Sequence, residues 1–130
     1  MQTKTYSFLL TSSVTDINLV TPIENVTKGK VKMISYTTGS ANNIHLMILI
    51  NGFNTNIFQF GSNEIRYFKM LELPASSGSP VYWEPATASP DVILSEQKRT
   101  NKLSIQVMIN GSITSDITPS NPLLIELTFE

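Results

Sequence analysis

The stretch LLIELTFE, residues 123–130, alternates without a fault. Leu123, Ile125, Leu127 and Phe129 fall on one side; Leu124, Glu126, Thr128 and Glu130 fall on the other. Successive side chains of an extended strand point to opposite faces, so the pattern predicts a strand with one buried face. Leu103, Ile105, Val107 and Ile109 repeat it against Ser104, Gln106, Met108 and Asn110. Tyr6, Phe8 and Leu10 do the same, and Ile17, Leu19 and Ile23 form a further short run. No window of a dozen residues carries a convincing 3.6-residue period. The best attempt at a helix, EIRYFKMLEL (64–73), is ended by Pro74, and its Ile65, Tyr67 and Leu71 suit a strand equally well.

Two stretches refine this reading. In GKVKMISYT (29–37), Val31 and Met33 lie on one face, then Ile34 and Tyr36 take over on the other. That slip of one residue predicts a bulge or a bend. IHLMILI (44–50) is almost wholly apolar, as a strand covered on both faces would be. NIFQF, VYWE and DVILS supply more strands, and PASSGSP (74–80) and EPATASPD (84–91) mark loops. Asn-Gly occurs twice after an apolar run, at Asn51-Gly52 and Asn110-Gly111. It is the strongest short hairpin signal, because a type I′ turn needs positive φ at both central residues. About eight to ten short strands at this spacing predict one domain over residues 1–130, an antiparallel β-sandwich of jelly-roll type.

Composition narrows the function. The chain has no Cys and one His, so Cys-based zinc sites, disulfides, a cysteine nucleophile and a His-pair metal site are all excluded. Its net charge is −1, which argues against nucleic acid as a partner. The N-terminal apolar run, Phe8-Leu9-Leu10, is too short for a secretory signal, and no stretch is long enough to span a membrane. Charged residues make up only 15%, while Ser, Thr and Asn supply 40 of the 130 residues. A neutral, polar surface suits a protein packed against neighbours, where each buried charge would need a partner.

Few residues invite chemistry. The acids are dispersed, with no Asp-rich calcium loop, and short-looped sandwiches offer little cleft for a carboxylate pair. No enzymatic activity, cofactor or metal is expected. His45 lies opposite Ile44, Leu46, Ile48 and Ile50 in phase and reads as outward-facing. Lys28, Lys30 and Lys32 share one strand face, and residues 97–102 form a second basic spot. These are candidate contacts for nucleic acid or an acidic partner, or lysines that guard a strand edge. Tyr82 and Trp83, between loops, are either an aromatic platform for a sugar or a neighbour, or core anchors. Met47, Leu49, Met108 and Leu124 are apolar residues left over on the face away from the core, and so candidates for an interface.

HLMILINGFNTNIFQFG, RYFKMLELP and KLSIQVMINGS…NPLLIELTFE together resemble small single-jelly-roll capsid-associated proteins of eukaryotic double-stranded DNA viruses, of virophage and polinton-like type. The resemblance spans roughly residues 44–130 and lies in strand texture and turn placement, so it carries over no functional residue. It implies a minor capsid, penton or cement role without catalysis, in homo-oligomers or with other capsid proteins, in a virion assembled in the host cytoplasm. The alternatives are a carbohydrate-binding module or lectin of the same fold, and a receptor-binding tip.

Overall fold

The computed structural model describes residues 3–76, 78–87, 89–113 and 116–130, with the side chain of Ile113 outside the description. Ten strands follow one another: β1 (Lys4–Leu10), β2 (Val14–Tyr36), β3 (Ile44–Ile50), β4 (Asn56–Phe60), β5 (Asn63–Tyr67), β6 (Lys69–Leu73), β7 (Val81–Trp83), β8 (Val92–Ile109), β9 (Ser112–Ile113) and β10 (Leu123–Phe129). All pairings between them are antiparallel. Among the described residues there is no helix, and so none long and apolar enough to cross a membrane.

The main sheet runs β1-β10-β2-β8-β3-β6, with β7 beside β2 and β9 beside β8. It folds over on itself because β2 and β8 are long and bend. Their ladder is regular from Val14↔Gln106 to Asn18↔Lys102, then irregular, and resumes at Lys28↔Ile93. Between Asn18 and Ile23 the chain of β2 runs through residues 19–22 while β8 advances only past Asn101. Pro22, which has no N–H to give a ladder, and Asn25, at φ 55°, both sit in this corner. The Tyr6 hydroxyl donates to the carbonyls of Thr21 (3.0 Å) and Pro22 (3.2 Å). The sequence reading of short strands only is corrected here: bulges bend a strand without ending it, so two alternating runs can belong to one element.

The buried faces meet in one cluster. Leu123, Ile125, Leu127 and Phe129 are buried, as their alternation predicted, and so are Leu103, Ile105 and Val107. Phe129 of β10 crosses to the other layer, its ring 5.1 Å from that of Phe53. Gly29 lies beneath: a Cβ there would stand 3.2 Å from the rings of both Phe129 and Phe68. The predicted phase slip is present. Val31 pairs with Leu127 and Met33 with Glu126, which leaves Lys32 as the extra residue of a bulge. Before it Gly29 and Val31 point inward; after it Ile34 and Tyr36 do.

The two Asn-Gly turns differ. Asn110 (φ 51°) and Gly111 (φ 82°) both have positive φ and join β8 to β9 in a two-residue hairpin, as predicted. At Asn51-Gly52 only Gly52 has positive φ (90°), and the Phe53 N–H bonds the Ile50 carbonyl at 2.9 Å. That is the geometry of a type II turn. It leads out of β3 to the buried Phe53, whereas β3 pairs with β6 and β8. The expected first hairpin at this position is therefore absent.

Candidate functional site

The outer face of β3 and its neighbours carries an apolar patch, flanked by His45 and Glu72 at one end and Gln106 at the other. Met47 stands opposite Met70 of β6 on one side and Met108 of β8 on the other, with Leu49 next along the strand. β4 and β5 form a separate two-stranded sheet beside this face. Phe58 of β4, with His45, Leu46, Met47, Met70, Asn110 and Gly111, lines a hollow of about 470 Å³. The rings of Phe58 and Phe60 lie 5.6 Å apart and are 40% and 44% exposed, and Ile57 on the opposite face is 51% exposed. Three of the large apolar side chains that remain in water therefore come from one five-residue strand. Hydrophobic residues scattered singly are ordinary on a surface; clustered ones mark contact sites.

The β4–β5 hairpin is held at its base. The Asn56 side chain donates to the carbonyls of Phe68 (2.9 Å) and Asp91 (2.8 Å). The Ile50 N–H donates to Asn54 Oδ1 at 2.7 Å. The Asp91 carboxylate, only 7% exposed, takes the Val31 N–H at 2.5 Å and the Lys69 ammonium at 2.9 Å. Lys69 in turn lies 5.4 Å from the centre of the Trp83 ring, within range of a cation–π contact. An anion this buried persists only because both its oxygens have partners. The cluster joins the hairpin base to β2, β6, β7 and β8. At the tip, Gly61 (φ 60°) makes the turn between the paired residues Phe60 and Asn63.

Leu49 and Met108 are half-buried on the predicted outer face. Met47 shares that face but is 7% exposed, so its assignment as an exposed residue is corrected: a strand's alternation shows which face a side chain takes, not what lies over that face. Leu124 is half-buried on the opposite layer, in a row with Leu9, Ser35 and Tyr82 across four strands. Tyr82 and Trp83 do not form one platform. Adjacent strand residues point to opposite faces. Trp83 packs against the core with Val81, while Tyr82 is 60% exposed. The Tyr82 hydroxyl donates to Glu84 at 3.2 Å, and desolvation followed by the Glu84 and Glu126 carboxylates pushes its phenol above the ordinary value.

Lys28, Lys30 and Lys32 keep to one face; Lys28 is opposite Ile93 and Lys30 opposite Thr128. The second basic spot lies in the β2–β8 corner, where Lys98, Arg99 and Lys102 share a hollow of about 660 Å³ with Asp16, Asn18 and Asn51 and with the apolar Ile17, Phe53 and Leu103. Arg99 is paired with Glu24 at 3.2 Å, so acids offset part of this charge. His45 faces outward, its Nδ1 3.6 Å from Glu72. Among the described residues no three metal-ligating side chains come together.

Sequence reasoning missed Phe58, Phe60 and Met70. The signal was present as NIFQF-GS-NEIRY, two alternating runs around a Gly-containing tip. No protein-family model matches the chain, and no curated protein matches it.

Proposed function

We propose that this chain is a structural, non-enzymatic assembly protein that works by packing against copies of itself or a shell protein. The observation that carries the reading is the apolar hairpin Ile57, Phe58 and Phe60 standing beside the Met47–Met70–Met108 face. Full cover of a Phe or Ile side chain contributes about 1.5–3 kcal/mol, so half-exposed ones contribute roughly 1 kcal/mol each when a neighbour covers them. The low charge density favours the same use, because few ions would have to be desolvated. The jelly-roll type is part of the proposal. Two long strands that wrap from one layer to the other, and antiparallel neighbours far apart in sequence, support it. The capsid-associated role, as a minor capsid, penton or cement protein in a virion, rests on the resemblance of residues 44–130.

The test is the native mass by light scattering over a dilution series. A discrete oligomer that persists on dilution is expected. A monomer at every concentration would overturn self-assembly as the primary role. Of the Tyr82–Trp83 pair, the carbohydrate reading keeps only Tyr82 as an exposed ring, since Trp83 is turned to the core.

A further inference from the structure

Among the described residues the β4–β5 sheet has only two strands, so each strand has one edge without a strand neighbour. Two strands alone are marginal in water, and an open edge is a template for another strand. The two edges differ in charge. β4, NIFQF, carries none. β5, NEIRY, carries Glu64 and Arg66 on either side of Ile65, with side chains 47% and 61% exposed. They lie on the same face, 3.5 Å apart.

That order is self-complementary. If two copies of β5 pair antiparallel about a two-fold axis at Ile65, Glu64 of each faces Arg66 of the other. Two cross-strand ion pairs form, and no like charges meet. The other face is also matched. Phe58 pairs with Ile65 inside the hairpin, so the four-stranded sheet β4-β5-β5-β4 would carry a continuous row Phe58, Ile65, Ile65, Phe58. The edge of β1 offers no such code, since Lys4 is its only charge.

We propose that the β5 edge is a homodimer interface, in which two copies of this chain join their hairpins into one four-stranded antiparallel sheet with Glu64 paired to Arg66 across the axis. The proposal rests on the assembly reading and names the surface and the partner. Isologous contact of this kind, one patch meeting itself, is the commonest symmetry of protein oligomers.

The experiment uses the full chain and sedimentation velocity over a dilution series. Glu64→Arg places Arg opposite Arg at both sites, and Arg66→Glu places Glu opposite Glu. Each is expected to weaken the dimer by roughly tenfold or more, since like charges directly opposite each other destabilise a strand pair. Mixing the two variants in equal amounts restores every opposite-charge pair, so the mixture is expected to recover the wild-type mass. The double exchange Glu64→Arg with Arg66→Glu is expected to do so alone, and far-UV circular dichroism checks that each variant is folded. Single variants that keep the wild-type mass on dilution, or a mixture of folded variants that fails to recover it, would overturn this interface while leaving assembly by another surface intact. A wild-type chain that is monomeric throughout would overturn the assembly reading and this interface together.

Discussion

Tyr36 shows how one atom can be out of balance with its surroundings. The residue is 2% exposed, and its hydroxyl oxygen is buried with no hydrogen-bond partner among the described residues. A buried polar group without a partner costs about 1–3 kcal/mol. Burial first, and the Asp116 carboxylate second, raise the phenol above its ordinary value of 10.0. The folded chain therefore holds this proton to higher pH than the unfolded chain does. Stability from the group is complete below about pH 10 and is lost as pH rises from there through the raised folded value. Tyr36→Phe keeps the ring and removes the hydroxyl. The variant is expected to match or exceed the wild type by up to about 1 kcal/mol near neutral pH. Its stability should also decline less steeply above about pH 10. Urea midpoints at about pH 8 and about pH 10.5 check both; a clear loss of stability at the lower pH would mean the hydroxyl has a partner. Some alkaline loss should persist, because Tyr6 is raised in the same way, by burial and then by Glu24.

The two Asn-Gly turns separate what an element requires from what its sequence suggests. A left-handed conformation costs a non-glycine residue roughly 1–2 kcal/mol, least for Asn and Asp. Of the two turn asparagines only Asn110 adopts it, and its Oδ1 also takes the His45 N–H at 3.0 Å. Asn110→Ala is therefore expected to cost about 1–2 kcal/mol, and Asn51→Ala to stay within about 0.5 kcal/mol of the wild type. Thermal unfolding of the two variants side by side tests this; equal losses would contradict the assignment of different turn types. This is also where legibility in the sequence ends. The inward faces of β8 and β10 and the bulge at Lys32 could be read because burial leaves a period in the chain. The type II turn at Gly52 could not, because the same two letters serve both turns. The separation of Tyr82 from Trp83 was implicit in their adjacency on a strand. The burial of Met47 agrees with the almost wholly apolar run 44–50, which read as a strand covered on both faces, but that run does not record that Phe58 of another strand lines the same hollow.

At the scale of the molecule, most contacts join residues far apart in the chain. β1 pairs with β10, and β2 with both β8 and β10. Loop closure must come before such contacts reward it, so all-β chains of this kind fold in milliseconds to seconds. Stopped-flow refolding from urea is expected to fall in that range; relaxation complete in microseconds would show that the rate-limiting contacts are local. The fold-over of the sheet was the least legible feature, because it depends on the corner in β2 and β8 and on the match between two distant bulges.

The place of β10 between β1 and β2 also bears on how the chain is made. On the ribosome, β1 is synthesised first and has no strand to pair with until residues 123–129 emerge. Until then Tyr6, Phe8 and Leu10 lack the strand they pair with in the folded chain. This part of the sheet closes when a single strand slides between two that were already there.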